Sequence, residues 1–124
     1  MIESAKKLLI VEDEKMLSEM YQDTFSQAGY EVFAAFTVDE GIKIARNKKP
    51  DLILLDILLP KESGIAFLQK LKKDLHISTI PVVAFSNYDD PKTRKEAINL
   101  GIKAYLLKTD FTPKDIVEKV KEYF

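Results

Sequence analysis

Four apolar runs of this sequence end in side chains that can do chemistry. The run KLLIV is followed by Glu12 and Asp13, LILL by Asp56, VVAF by Ser86, and AYLL by Lys108. Carboxylate oxygens are the ligands that hard divalent cations such as Mg²⁺ prefer, and a lysine beside them adds a further positive charge. Asp56 is the most informative residue, because a carboxylate in so apolar a stretch needs a metal or a paired cation to offset its lost hydration.

The elements that must position these side chains alternate between strands and helices. Hydrophobic runs predict strands over 7–12, 30–36, 51–58, 81–87 and 103–109. Amphipathic spacing predicts helices over 14–29, 37–49, 64–74, 90–101 and from Pro113 onward, with threonine caps at Thr37 and Thr112. Five strand-helix repeats predict an α/β fold of the (βα)5 flavodoxin-like type, a doubly wound parallel sheet with helices on both faces.

The predicted topology brings the strand ends together. In a right-handed sheet of the flavodoxin-like order 2-1-3-4-5, strands one and three are neighbours, so Glu12, Asp13 and Asp56 converge. Ser86 and Lys108 flank them. Each pair of carboxylates about 4 Å apart repels by roughly 4 kcal/mol at an effective dielectric of about 20. Either some of the three acids are therefore protonated or a cation lies among them. Lys108 supplies one positive charge, and Mg²⁺ suits a site of this kind, made of a few carboxylate oxygens.

Each of these side chains also has an ordinary structural explanation. Asp13 could cap the following helix, and Asp56 could cap the loop after its strand. Ser86 could make a local backbone hydrogen bond, and Lys108 could be a solvated strand end. Tyr105, in the fifth strand, could simply pack in the core. Four of the five strand ends carry such residues, however, and the structural explanations would then have to coincide at one edge of the sheet.

With these residues in view, the chain resembles the receiver domain of two-component response regulators over essentially its full length. The resemblance rests on IVEDE at 10–14, DILLPKESG at 56–64, FSN at 85–87 and YLLK at 105–108. It implies a single receiver domain over residues 1–124.

The resemblance also implies a role for each residue of the site. Asp56 would be the nucleophile that takes a phosphoryl group from a phosphohistidine or a small phosphodonor. Asp13 would bind Mg²⁺ directly and Glu12 would bind it through water. Asp56 and the backbone carbonyl of Leu58 would complete the protein ligands. Lys108 would pair with the carboxylate and then with the phosphoryl oxygens.

The resemblance further implies a relay from the site to a binding surface. Ser86 would move toward the phosphoryl group, and Tyr105 would change rotamer with it. Tyr105 and Lys108 are three residues apart in the predicted fifth strand, so we expect their side chains on opposite faces. The implied partners are a sensor histidine kinase or a phosphotransfer protein, and a downstream protein target at the face of the fourth helix, fifth strand and fifth helix.

The chain departs from the family pattern at several positions. Glu12 stands where aspartate is more usual. Thr109 stands where the family usually has proline, often after a cis peptide bond, and a cis bond without proline costs roughly 3 kcal/mol. The bond between Lys108 and Thr109 could therefore be trans or strained, and its form bears on where Lys108 lies. Leu58 and Tyr88 would border the phosphoryl group, and we expect them to limit water access and slow its hydrolysis.

Composition bounds the function classes. The chain has 124 residues, no cysteine and a formal net charge of -1. Disulfides, thiol catalysis and cysteine-bound zinc are thereby excluded, and the charge gives no reason to expect direct nucleic-acid binding or attraction to anionic membranes. Its apolar runs are shorter than a membrane span. We expect a cytoplasmic protein without membrane insertion, whose single histidine, His76, lies in a loop.

Other functions stay open from the sequence. The chain could be a pseudo-receiver, an interaction module that is not phosphorylated, or the excised receiver of a larger regulator or hybrid kinase. A phosphatase of the haloacid dehalogenase type needs a second acid where this chain has Leu58. A nucleotide-binding protein needs a glycine-rich turn after the first strand, and EDEKML has no glycine. The resemblance favours a slowly self-dephosphorylating phosphoacceptor over a turnover enzyme.

Overall fold

A computed structural model of the protein describes residues 5–59, 62–87 and 89–124. Its strands are β1 (Lys7–Val11), β2 (Glu31–Ala35), β3 (Leu52–Asp56), β4 (Val82–Ser86) and β5 (Ala104–Leu107). Its helices are α1 (Lys15–Gln27), α2 (Val38–Lys48), α3 (Gly64–Lys73), α4 (Pro91–Asn99) and α5 (Pro113–Val120). The strands form one sheet in the order β2-β1-β3-β4-β5, and all neighbouring pairs are parallel. The predicted fold and strand order are confirmed.

The sheet has a hydrophobic core on each face, because successive side chains of a strand point to opposite sides. In β1, Leu9 and Val11 join the core beneath α2, α3 and α4, whereas Leu8 and Ile10 join the core beneath α1 and α5. The three central strands are almost wholly buried. Burying one such side chain contributes about 1.5–3 kcal/mol, so the two cores fix the sheet that positions the site.

The predicted threonine caps are present. The hydroxyl of Thr37 accepts a hydrogen bond from the backbone N–H of Glu40, and the Glu40 carboxylate accepts one from the backbone N–H of Phe36. At α5, Thr112 and Asp115 form a reciprocal capping box. These local bonds satisfy helix N–H groups that have no partner inside the helix.

The strands end earlier than the sequence pattern predicts. β3 ends at Asp56 rather than at residue 58, and β5 ends at Leu107 rather than at residue 109. Lys108 instead begins a short 3-10 turn, Lys108–Asp110. The edge strand β5 pairs only with β4, and that pairing ends at Ser86 and Leu107. Although Lys108 lies just beyond the strand, the contacts agree with the expected opposite faces. Tyr105 packs against the core beneath α2, α3 and α4, whereas Lys108 lies over Phe85 of the other core.

The helices covering the sheet are short. Among the residues that the structure describes, no helix has the length and apolar character needed to cross a membrane.

Candidate functional site

The site lies at the edge of the sheet where the carboxyl ends of the parallel strands meet. Glu12 directly follows β1, and Asp56 is the last residue of β3. Ser86 is the last residue of β4, and Lys108 directly follows β5. The sheet therefore brings together residues that lie far apart in the sequence, as predicted.

Three carboxylates converge at this edge. One oxygen from each of Glu12, Asp13 and Asp56 lies within 4.8 Å of the others. Glu12 and Asp56 are buried, whereas Asp13 is partly exposed. The acids open into a cavity of about 330 Å³, lined by Glu12, Asp13, Glu14, Asp56, Leu58, Asn87 and Lys108. The predicted convergence of the acids is thus present.

Lys108 bridges two of the acids. Its Nζ lies 2.6 Å from Glu12 Oε1 and 3.3 Å from Asp56 Oδ2. The peptide bond between Lys108 and Thr109 is trans, and the 3-10 turn that begins at Lys108 still allows its side chain to reach the acids. The pairing with Asp56 matches the sequence-based expectation, but the shorter bond to Glu12 was not predicted.

The site holds more negative than positive charge. Burial raises the pKa of the Glu12 carboxyl, and Asp56 adds to the rise while Lys108 opposes it. Burial also raises the pKa of Asp13, and Glu12 adds to that rise. For Lys108, burial disfavours the charged form, but the bond to Glu12 and the attraction of Asp56 outweigh burial and raise its pKa. Lys108 therefore stays charged, yet one lysine leaves three acids undercompensated.

This arrangement fits a hard divalent cation. All three candidate ligands offer carboxylate oxygens, and the partly exposed Asp13 leaves the site open to the cavity. A small, strongly hydrated ion such as Mg²⁺ binds through few carboxylates and keeps several waters. The residues present therefore fit Mg²⁺, and Lys108 would have to share Glu12 and Asp56 with it.

Two of the ordinary structural explanations can be compared with the structure. Asp13 does not cap α1, whose N-cap is Glu14 and has no side-chain capping bond. Asp56 does cap its loop, because its Oδ1 accepts a hydrogen bond from the backbone N–H of Leu58 at 3.0 Å. That bond holds one Asp56 oxygen in place while the other faces Lys108.

The two residues of the expected relay lie on neighbouring strands. Ser86 is fully buried, and Tyr105 is partly buried in β5. The guanidinium carbon of Arg94, on α4, lies 5.3 Å from the centroid of the Tyr105 ring. Arg94 also forms an ion pair with Asp89 at 2.9 Å. From the sequence we expect Tyr105 to face the fourth helix, and this contact agrees with that expectation, but Arg94 itself was not predicted as its partner.

Sequence reasoning missed the aromatic residues beneath Lys108. Its Nζ lies 4.7 Å from the centroid of the Phe85 ring, a distance typical of cation–π contact. The ring of Tyr21 packs edge-on against Phe85 at 5.4 Å. Phe85 belongs to an apolar strand and looked like ordinary core. Its position just before Ser86 was the only signal that it lies near the site.

The remaining residues named from the sequence stand as follows. Leu58 is 46% exposed and lines the cavity, and its expected effect on hydrolysis stays a prediction. Tyr88, the other expected barrier residue, lies outside the described residues, as does Pro60 of the DILLPKESG motif. His76 lies exposed in the turn after α3, away from the acids, in agreement with its expected place in a loop.

Comparison with known proteins agrees with this geometry. A sequence profile described as the response regulator receiver domain matches residues 8–121. The transcriptional regulatory protein CrdR of Helicobacter pylori is 34% identical over 96% of this chain and 55% of its own length. The phosphate regulon transcriptional regulatory protein PhoB of Escherichia coli is 34% identical over 94% of this chain and 51% of its own length. The chain thus spans about half the length of these relatives.

Solved structures give the same result. A response regulator receiver domain protein from Methanospirillum hungatei has a TM-score of 0.88 and 31% identity, covering 96% of this chain and 93% of that one. The chemotaxis protein CheY4 of Vibrio cholerae has a TM-score of 0.89, covering 97% and 99%, and at 23% identity it shows the fold alone. The family match spans most of the sequence, and the solved relative at 31% identity is similar over nearly its whole length. The chain belongs to the response regulator receiver domains.

Proposed function

We propose that this receiver domain is a phospho-accepting switch in which Asp56 takes a phosphoryl group from a histidine kinase or a phosphotransfer protein. One observation carries the proposal: Asp56 faces Lys108 at 3.3 Å and converges with Glu12 and Asp13 in one cavity. Residues 1–124 would act as a single receiver domain. The chemistry requires placement and charge neutralisation more than any other contribution from the protein.

The transfer forms one bond and breaks one. An oxygen of the Asp56 carboxylate attacks phosphorus, the bond between phosphorus and the donor's imidazole nitrogen breaks, and the imidazole leaves with that electron pair. The bond from the Leu58 backbone N–H fixes one oxygen, and Oδ2 is the one beside Lys108. Glu12, Asp13, Asp56 and the backbone carbonyl of Leu58 would hold Mg²⁺. When bound, that ion supplies positive charge for the transferred oxygens.

Lys108 would exchange partners during the reaction. It now pairs with Glu12 and Asp56. A phosphoryl group brings about -1.5 to -2 charge and three strong acceptors, so the ammonium would shift toward it. Ser86 would donate its hydroxyl to another of these oxygens, and Tyr105 would then change rotamer. Arg94 lies against Tyr105 and would have to yield in that step.

The partners would be proteins. Met16 and Leu58 are exposed apolar residues close in sequence to Asp13 and Asp56, where a phosphodonor would have to approach. A downstream target would bind the face of α4, β5 and α5, where Tyr105 lies and where Ile98 is exposed. Because the relatives are about twice as long, the chain could equally act as the receiver of a longer regulator.

One observation favours a second candidate, a pseudo-receiver that is not phosphorylated. The bond from Lys108 to Glu12 is shorter than its bond to Asp56, by the two distances of 2.6 and 3.3 Å. A lysine held by Glu12 would partly neutralise the site without any phosphoryl group. The two candidates make opposite statements about phosphorylation of Asp56.

The deciding experiment is the intact mass of the protein after incubation with acetyl phosphate, with Mg²⁺ or with EDTA. We expect a Mg²⁺-dependent gain of one phosphoryl group in the wild type and none in Asp56→Asn. Asp23→Asn, an exposed aspartate on α1, is the matched control and should gain the group as the wild type does. No gain in any sample would reject the switch in favour of the pseudo-receiver.

A further inference from the structure

A groove of about 880 Å³ lies between α2 and α3, on the face of the sheet opposite α1 and α5. We call it the α2–α3 groove. Ile42 and Lys43 line it from α2, and Lys73 lines it from α3. Leu75 stands at its rim, just after α3 ends. Neither the acid cluster nor Lys108 contributes to this groove, so the proposed phosphoryl chemistry leaves it unused.

The groove carries uncompensated positive charge. Its two acids are already taken, since Asp39 pairs with Lys70 at 3.1 Å and Asp74 pairs with Arg46 at 2.6 Å. Lys43 and Lys73 form no ion pair with any residue in the described part of the chain and are exposed on the two walls. Two free ammonium groups facing one concave surface favour an anionic occupant.

The groove also offers apolar contact. Ile42 is buried and contributes apolar surface to it, and Leu75 is 90% exposed at its rim. A single exposed leucine is ordinary on a protein surface. Beside a concave surface with two free cations, however, Leu75 provides the apolar anchor that a peptide contact uses in addition to charge.

We propose that the α2–α3 groove binds an acidic amphipathic segment of a partner protein. Carboxylates of that segment would meet Lys43 and Lys73, and an apolar side chain would pack on Leu75. A nucleic acid is disfavoured, because its continuous phosphate backbone needs more unpaired cations than Lys43 and Lys73 provide, and Leu75 offers it no charged contact. Because neither the acid cluster nor Lys108 lines the groove, binding there would not require phosphorylation of Asp56.

The test is a titration of the full chain, labelled with ¹⁵N, with a fluorescent helical peptide. The peptide has about twelve residues, roughly 18 Å as a helix, with glutamates on one face and leucines on the other. We expect amide shifts clustered over 39–46 and 70–76. Anisotropy should show binding about tenfold weaker to Lys43→Glu/Lys73→Glu than to the wild type. Asp56→Asn should bind like the wild type.

Two further variants separate the groove from general charge and from misfolding. Lys92→Glu/Lys95→Glu reverses two exposed lysines on α4 and has the same net charge as the groove variant, so it should keep wild-type affinity. Leu75→Ser leaves the charge unchanged and should weaken binding severalfold. Equal weakening in both lysine pairs, or shifts outside the groove, would overturn the proposal. So would tighter binding of an oligothymidylate of equal length, which would indicate a nucleic-acid groove instead.

Discussion

Two lysines of this protein each bridge a pair of carboxylates, and they differ chiefly in burial. Lys108 lies 2.6 Å from Glu12 and 3.3 Å from Asp56, and its side chain is 7% exposed. Lys70 lies 3.1 Å from Asp39 and 3.3 Å from Glu62, and its side chain is 45% exposed. The geometry is similar, but water screens the second triad and not the first. Similar ion pairs therefore differ in electrostatic strength according to how far they are buried.

Removing each lysine in turn should give the largest contrast between the two triads. Lys108→Met leaves Glu12 and Asp56 buried without their cation, so we expect the free energy of unfolding to fall by about 2–4 kcal/mol without Mg²⁺. Lys70→Met leaves its acids in water and should hardly move the unfolding midpoint. Urea unfolding at neutral pH measures both variants.

The same experiment includes an internal check. Adding Glu12→Gln to Lys108→Met removes one of the stranded charges and should restore much of the lost stability. If Lys108→Met and Lys70→Met proved equally stable, the contrast drawn from burial would be wrong.

A smaller effect is expected from relieving the acid cluster. Asp13→Asn removes one of three crowded carboxylates, so we expect the free energy of unfolding to rise by about 1 kcal/mol without Mg²⁺. Mg²⁺ should raise the melting temperature of the wild type, since a ligand that binds the folded state stabilises it. That gain should be lost in Asp13→Asn. Asp39→Asn, in the exposed triad, is the control and should retain the response to Mg²⁺. An equal Mg²⁺ response in both variants would contradict an ion held by Asp13.

The smallest expected effect concerns pH. The pKa of Asp13, in the acid cluster, is raised, whereas the pKa of Asp74, an acid of the α2–α3 groove, is lowered. Burial raises the pKa of Asp13, so its charge opposes folding above the raised pKa, and the opposition fades as pH falls through that value. The Arg46 guanidinium and the His76 backbone N–H lower the pKa of Asp74. Its carboxylate therefore stabilises the fold above the ordinary pKa, and this contribution is lost as pH falls through the lowered pKa.

Thermal unfolding of two variants over pH measures this difference. The stabilisation by Asp13→Asn should shrink as the pH is lowered from neutral. The destabilisation by Asp74→Asn should persist to more acid pH before it vanishes. If the effects of Asp13→Asn and Asp74→Asn on stability changed with pH in the same way, the opposite pKa shifts of the two acids would be contradicted.

Most of the fold was predictable because its elements are set locally. Buried parallel strands are continuous apolar runs in the sequence, and Thr37 and Thr112 mark the start of the helices that they cap. The strand ends were less predictable. Residues 57–58 and 108–109 look like strand continuations, yet β3 ends at Asp56 and β5 ends at Leu107. Where hydrogen bonding ends depends on the neighbouring strand, which the local pattern does not specify.

The candidate site was predictable in its members but not in its contacts. Glu12, Asp13, Asp56 and Lys108 could be placed at one edge, because parallel strands bring their carboxyl ends together. Which of the two acids, Glu12 or Asp56, lies closer to Lys108 could not be predicted, because their distances from its Nζ differ by less than 1 Å. The roles proposed for these residues in phosphoryl transfer stay predictions until the mass measurement is made.

The sequence by itself determined the α/β alternation, the strand order expected of its family and the set of polar residues at the strand ends. These follow from hydrophobic periodicity, helix caps and the rules for parallel sheets, all of which act on short segments. Only the tertiary structure decided that Glu12 takes the shorter bond of Lys108, that Phe85 lies beneath that lysine, and that Arg94 covers Tyr105. Glu12 and Lys108 are 96 residues apart, and the packing of both sheet faces, rather than any local signal, sets their distance.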